Sequence, residues 1–593
     1  MDNQFGLPPR KPGRRGRGGL NALLGLILAA LLANLVVISF DFIRNLPGTE
    51  TMEPNFGGLE RPVFIGGEML DANASGSGDS LALPLDLIKE HIDPAITYDE
   101  PSDSVIITTK DKVIQMKTGQ LTAAVNNEPL ELHFPVRRAE EGIWVPVQPL
   151  LSIYDMRAVE TESGAVLLQK GGDVLRWVEV PAPLDPQEGE KQRKAAVRNE
   201  PDIKSPILWQ MEAGERAMLL EETENGWFRV QGESGYLGYV NKTDVRLADV
   251  EVLPKTEQPE PYIPWKPLGG KINMTWEAVY GRNPDPASIP DMPGLNVISP
   301  TWFSLKEDGN GEIYIHNMAD KGYVNWAHQR GYQVWALFSN DFDPDLTTKA
   351  LADYGTRQKI IFELLSLAEL YDLQGINIDF ENVYLEDKDN LTQFVRELTP
   401  YMHEQDLVVS IDVTVRGGSE MWSLFADREA LGRIVDYMIV MTYDQHWQSS
   451  PVAGSVAELP WTEKGIVDII EMDHVPPEKI LLGVPFYTYQ WFEEYKDGEM
   501  AGISSKARSM EYVQSLIREK GLKPVYLEDV GQHYVEYEED GKRVRIWIED
   551  AASMKSRAEL VNKLGLAGIA SWRRGFETPD IWEVIKDTLE QRP

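Results

Sequence analysis

The chain has 593 residues, with 58 Lys and Arg against 94 Asp and Glu, a formal charge of −36. A polyanion of this size is a poor partner for nucleic acid, whose duplexes are bound by neutralising phosphates with Lys and Arg. Cysteine is absent, which excludes disulfides, thiolate nucleophiles, zinc fingers and cysteine-ligated iron–sulfur clusters. The length exceeds one ordinary domain, and 42% apolar with 26% charged residues describes a chain most of which folds.

Arg10, Lys11, Arg14, Arg15 and Arg17 stud a Gly/Pro-rich tail over residues 1–19, and the 21 residues Leu20–Phe40 carry no charge. At 1.5 Å per residue such a helix spans a hydrocarbon core of about 30 Å. The basic flank comes first, so the tail is expected in the cytoplasm and everything after the helix outside. The expectation is an uncleaved single-pass anchor in the cell membrane. The alternative is secretion after signal cleavage, against which stand the long apolar core and the lack of a clear small-x-small site. Residues 41–62 read as a spacer.

From 63 to 172 short alternating runs, Ser104–Thr109, Val113–Lys117 and Ala165–Gln169, read as strands broken by Gly, Asn and Asp. A weak internal echo links Leu83-Pro84-Leu85 and Ile88 to Val145-Pro146-Val147 and Leu150, about 62 residues later. Each copy reads as a short helix and then strands. The segment resembles the stalk-type N-terminal domain of copper amine oxidases, which implies a small α+β spacer or wall contact and no copper chemistry. Residues 173–200 are charged and Pro-rich and read as a linker. Residues 201–249 carry Gly226-Trp227-Phe228-Arg229-Val230 and Gly235-Tyr236-Leu237-Gly238-Tyr239-Val240. This spacing resembles the all-β bacterial SH3 domain, and the resemblance implies a site for a wall peptide. Residues 250–264, with Pro254, Pro259, Pro261 and Pro264, read as a second linker.

From Trp265 to Pro593 the rhythm changes. Eight apolar runs of strand length, Ile272–Val279, Leu295–Phe303, Tyr332–Phe338, Gly375–Glu381, Leu407–Val413, Tyr437–Tyr443, Ile480–Phe486 and Gly568–Trp572, alternate with helical segments. Ile/Val-rich strands alternating with helices predict a parallel sheet, and eight units over this length predict an α/β TIM (β/α)8 barrel. An α+β insertion at about 492–552, between strands seven and eight, holds a hairpin around Asp540-Gly541.

Chemistry in such barrels sits at the C-terminal strand ends. Strand four reads Gln374-Gly375-Ile376-Asn377-Ile378-Asp379-Phe380-Glu381-Asn382. With period-two alternation, Ile376, Ile378 and Phe380 face the helices, while Asn377, Asp379 and Glu381 face the barrel axis. Two acids on one strand face stand roughly 6–7 Å apart at Cα, close enough to couple their titrations. Burying ionised acids costs several kcal/mol unless they are paired. A structural ion pair with a neighbouring strand is the bland reading. The functional one is a proton donor, Glu381, beside an acid that tunes it, Asp379.

This run resembles the Asp-Gly-x-Asp-x-Asp-x-Glu motif of glycoside hydrolase family 18, the chitinase-like group, with Gln374 and Asn377 departing from the first two Asp places. The Asn377-x-Asp379-Phe380-Glu381 variant is similar to the spore-cortex-lytic and spore-germination N-acetylglucosaminidases. The resemblance implies that Glu381 is the general acid and that Asp379 orients the sugar's 2-acetamido group. Met441-Thr442-Tyr443-Asp444 is similar to the family's Met-x-Tyr-Asp. That implies a catalytic hydrogen bond from Tyr443 to the acetamido carbonyl, with Met441 and Asp444 lining the subsite. Ala570-Ser571-Trp572 is similar to the family's tryptophan floor. Asn377, Met441, Asp444 and Trp572 are therefore expected to bind substrate. Trp447 and Trp302, near strand ends, join them as sugar-stacking candidates, whereas Trp265, Trp276 and Trp335 are expected to pack the barrel. The family implies no metal or cofactor, and His403-Glu404 lacks the second His of a zincin helix. The expected partner is an N-acetylated glycan: peptidoglycan or spore cortex, with chitin as the alternative substrate. A barrel that only holds wall glycan is the non-catalytic alternative.

Overall fold

The computed structural model describes residues 18–182, 193–256, 262–268 and 270–591. Two compact units emerge: one runs to Leu87 and resumes over Gly142–Gln258, the other combines Ile88–Glu141 with Pro259–Pro593.

In the first unit a helix, Gly18–Arg44, occupies the stretch expected to form the anchor. The basic tail lies outside the described residues, as do the side chains of residues 18–25, 37 and 40–42. Among the described residues no helix is long and apolar enough to cross a membrane. The echo appears as two short helices, Leu85–His91 and Val147–Ile153, each followed by antiparallel strands. The SH3-like part is a seven-stranded sheet in the order Ile207–Met211, Ala195–Arg198, Leu237–Asn241, Trp227–Gln231, Arg216–Glu222, Val174–Glu179, Arg246–Val252. The first expected linker is thereby corrected. Within 173–200, Val178, Val180, Ala195 and Val197 alternate into the sheet's core, and the charged run between them disguised that period. Residues 183–192 lie outside the described set. The second linker is also shorter than expected, because the last strand continues to Val252.

The second unit takes in part of the segment expected to form the stalk-type domain. An antiparallel meander, Thr97–Asp99, Ser104–Thr108, Val113–Lys117, Thr122–Val125 and Glu128–Glu131, belongs to the same unit as the barrel. Its Ile106 and Val113 enter the core of the barrel's helix layer. A buried ionic node fastens it. Arg357 donates to both carboxylate oxygens of Glu397 at 3.0 and 2.9 Å and to Asp99 at 3.2 Å. Asp99 also accepts from the Tyr354 backbone N–H at 3.0 Å.

The barrel strands are β1 (Ile272–Glu277), β2 (Val297–Pro300), β3 (Gln333–Ser339), β4 (Gly375–Asp379), β5 (Val408–Thr414), β6 (Tyr437–Met441), β7 (Ile480–Pro485) and β8 (Gly568–Trp572). All neighbours run parallel, and β8 pairs with β1 to close the cylinder. Alternate residues fill the interior: Ile272, Met274, Val297, Trp335, Leu337, Val408, Tyr437, Ile439, Leu481 and Ala570 form one apolar cluster at its base, with Trp265 packed beneath. Ile376, Ile378 and Phe380 join the separate outer core under the helices. Close approach of strands explains one glycine of β4, since a Cβ on Gly375 would stand 2.7 Å from the Val408 carbonyl oxygen.

The helices around the barrel start where the sequence supplies caps. Helix α1 (Tyr354–Tyr371) opens on Asp353, whose carboxylate accepts from Thr356 N–H, and closes on left-handed Asp372. It buries Ile360, Ile361, Leu364 and Leu365 on one face. Helix α2 (Lys388–Glu404) follows β4 and carries Glu397 of the ionic node. Between β7 and β8 lies an insertion of strands and one helix, in which Gln532–Glu539 and Lys542–Ile548 form the hairpin around Asp540-Gly541. It is a five-stranded antiparallel sheet from Tyr487 to Ile548 with the helix Met510–Lys520.

Candidate active site

Asp379 is the last residue of β4, aligned with Ser339 of β3. Glu381 follows two residues on, its backbone clamped by Asn340: Glu381 N–H donates to Asn340 Oδ1 at 3.1 Å, and Asn340 Nδ2 donates to the Glu381 carbonyl at 2.8 Å. This clamp fixes the strand exit without using the Glu381 carboxyl group. The side chain is thus free for chemistry while its Cα is held.

The sequence reading did not anticipate Asp412. It lies on β5 in the same inward parity as Asp379 and is almost fully buried. Asn377 donates from Nδ2 to Asp412 Oδ2 at 2.8 Å and accepts from Ser410 Oγ at 2.7 Å. Fully buried between these groups, Asn377 supports the acids from below. This corrects its expected role as a substrate contact. Period two in Ser410-Ile411-Asp412 was the available signal.

Asp379, Glu381, Asp412 and Asp444 converge on one another electrostatically. Burial pushes Asp379 up to about 7, from 3.8. Burial first, then the charges of Asp379 and Asp444, hold Glu381 well above the usual carboxylate range. Asp412 is raised by burial and by Asp379, and its bond from Asn377 offsets part of this. The Trp276 N–H also eases Asp412, although it closes no hydrogen bond of good geometry. One oxygen each of Asp379 and Asp412 is buried without a protein partner. The charges that raise Glu381 are those of Asp379 and Asp444, and among the described residues no arginine forms an ion pair with it. Acids in such a group cannot all ionise at neutral pH, and one retains a proton to give away.

Tyr443 follows β6, and burial together with Asp412, Glu381, Asp379 and Asp444 raises its phenol well above the usual value. It therefore remains a donor. Asp444 is an exposed residue of the loop after β6, yet its carboxylate is roofed by Tyr487 and Tyr489, which donate at 2.6 and 3.1 Å. Burial raises its pKa, and these two bonds lower it. The two tyrosines come from the start of the insertion and were not singled out in the sequence.

Met441 ends β6, buried in the inward parity. Trp572 ends β8, edge-on to Trp276 with ring centroids 5.8 Å apart, and packs with Tyr443, Tyr487 and Tyr489. Trp447 is 52% exposed in the loop after β6. Trp302 is a correction. It is 1% exposed, donates to Asn283 Oδ1 at 2.6 Å and meets Tyr323 edge-on in the outer core, so it does not face the site. Gln374, in the first Asp place of the motif, lies at the other end of β4 and accepts from Val334 N–H at 3.1 Å.

The arrangement is a raised-pKa acid held at the exit of a closed barrel, beside a second acid, a neutral phenol and an indole floor. Such a set can protonate a leaving oxygen and hold a polar amide against an aromatic wall.

Residues 306–577 match the glycosyl hydrolases family 18, residues 194–246 the bacterial SH3 domain, and residues 64–163 the copper amine oxidase N-terminal domain. An uncharacterized glycosylase of Bacillus subtilis is 25% identical over 304 residues, which cover 49% of this chain and 84% of that one. The cortical fragment-lytic enzyme of Bacillus anthracis is 28% identical over 260 residues, 42% of this chain and 58% of that one. The match thus takes in less than two thirds of the latter's own length. Among solved structures, a chitinase from Chromobacterium violaceum is 24% identical, with a TM-score of 0.47, covering 54% of this chain and all of that one (100%).

Proposed function

We propose that this protein, whose residues 306–577 match the glycosyl hydrolases of family 18, cleaves β-1,4 bonds at N-acetylglucosamine in peptidoglycan or spore cortex. The observation that carries the reading is the placement of Asp379 and Glu381, both with raised pKa, at the exit of β4. Glu381 protonates the glycosidic oxygen. The substrate's own acetamido oxygen attacks the anomeric carbon as the bond breaks, giving an oxazolinium ion. Asp379 orients that amide and Tyr443 donates to its carbonyl. Glu381, now ionised, takes a proton from water, which attacks the same carbon and restores the configuration. Family 18 departs in this way from the two-carboxylate rule of retaining glycosidases. The low-dielectric pocket strengthens each of these contacts.

The protein is proposed to work outside the cell, held to the membrane by its N-terminal helix. The described apolar side chains of that helix support this, since Leu26 and Ile38 stand 70% and 65% exposed. The SH3-like sheet is proposed to hold a wall peptide. Tethering favours the cell's own wall as substrate over scavenged chitin. The test is incubation of the full chain with peptidoglycan, cortex and chitin oligomers, with mass spectrometry of the products. New N-acetylglucosamine reducing ends in the wall substrates support the reading. Cleavage of chitin alone would favour a chitinase, and binding without cleavage a glycan-holding barrel.

A further inference from the structure

Two arginines follow the floor tryptophan, and the structure treats them differently. Arg574 is bound to Glu277, donating from Nη2 to Oε1 at 2.8 Å and from Nε to Oε2. Arg573 has no carboxylate or hydrogen-bond partner for its guanidinium among the described residues. Its guanidinium carbon instead lies 3.9 Å from the centre of the Phe576 ring and 5.8 Å from that of Tyr280. Tyr280, in the loop after β1, is 77% exposed, and Arg573 is itself partly open to solvent. Phe576 packs against the cluster that holds Trp572 and Tyr443.

This is an unusual place for an unpaired cation. In a chain with 94 acidic residues and 58 Lys and Arg, an arginine at the strand ends has carboxylates to choose from, as Arg574 shows. Stacking on an aromatic face fixes the guanidinium plane while its N–H edge stays free. A fixed planar fork with open donors matches a carboxylate in two parallel hydrogen bonds. The acids of the site, Asp379, Glu381, Asp412 and Asp444, offer an anionic glycan no positive charge of their own, so a local cation is needed to receive one.

We infer that Arg573 is a specificity-determining residue that receives a carboxylate borne on the glycan next to the floor sugar, the lactyl carboxylate of peptide-free muramic acid. The inference rests on the proposed wall-glycan activity and narrows it. Chitin has no such group, and a muramic lactam has consumed it.

The test uses the full chain and one polymer in two forms: peptidoglycan strands freed of peptide by amidase, and the same strands with their carboxylates converted to neutral amides. Wild type is expected to cut the acid form at least about 10-fold faster in kcat/KM, the range of a charge-assisted hydrogen bond. Arg573→Gln is expected to cut both forms alike, at the wild-type rate for the amide form, and to leave cleavage of chitin oligomers unchanged. Arg573→Lys should restore part of the preference, because a point charge attracts a carboxylate without matching its fork. An unchanged preference in Arg573→Gln would overturn the inference, as would an equal loss on all three substrates, which is the mark of a structural role. If wild type cuts none of them, the proposed activity fails; if it cuts both polymer forms equally, only the role of Arg573 fails.

Discussion

Replacing Glu381 by Gln separates catalysis from stability at a single position. The change keeps the side chain's shape and removes only its proton and charge. General acid catalysis contributes about 10²–10⁴-fold, which corresponds to about 3–5.5 kcal/mol in the barrier. The loss should fall on kcat, with KM little changed, because the proton is transferred only in the transition state. The fold should not suffer. The Asn340 clamp engages the Glu381 main chain alone, and the carboxyl group sits in a buried field raised by Asp379 and Asp444. An acid whose folded pKa exceeds its unfolded one binds a proton more tightly in the native state, so its contribution falls as pH rises between the two values. The uncharged amide of Glu381→Gln escapes that loss. At pH 8 the variant should melt at or above the wild-type temperature while losing at least about 10²-fold in kcat on a chromogenic N-acetylated chitobioside. Turnover within a few-fold of wild type would refute the reasoning. So would a lower melting temperature accompanying the lost activity, since that would make Glu381 a structural acid.

Other perturbations probe the same electrostatics. Asp379 is raised by burial from 3.8 to about 7, so wild-type stability should fall between these pH values and Asp379→Asn should flatten that decline; calorimetry showing identical pH profiles would contradict the shift. Asp444 helps to raise Glu381, so Asp444→Asn should move the alkaline limb of kcat/KM to lower pH, and an unmoved limb would disconnect the two acids. Away from the site, Arg357→Ala strands the fully buried Glu397 and the nearly buried Asp99. It should cost about 3–5 kcal/mol in urea unfolding, and a loss under about 1 kcal/mol would mean that the ionic node does not fasten the small sheet to the barrel.

The barrel was legible because its period is strong. Ile376, Ile378 and Phe380 alternate with Asn377 and Asp379, and only one face of a strand can be apolar when the other carries acids. The same alternation held Asp412, but a lone acid in Ser410-Ile411-Asp412 has no companion to mark it. Trp302 shows the reverse error. Nearness to a strand end does not fix direction, and just past Pro300 the indole reaches Asn283 in the outer layer. Tyr487 and Tyr489 reach Asp444 only through tertiary folding of the insertion. The strands at 174–179 and 195–198 were hidden because their partners lie far along the chain, Arg216–Glu222 and Leu237–Asn241. The docking of the 97–131 sheet depends on Arg357, 258 residues away from Asp99, a distance over which local pattern carries no signal.

In the proposed reaction the barrel's acids activate a nucleophile that the sugar itself brings. The direct measurement compares kcat/KM for one β-1,4-linked glucosamine oligomer, fully N-acetylated and fully de-N-acetylated, on the intact chain. Cleavage of the acetylated oligomer is expected, with at least about 10²-fold slower cleavage of the other, since its amine cannot close an oxazolinium ring. Comparable rates on the two would contradict it.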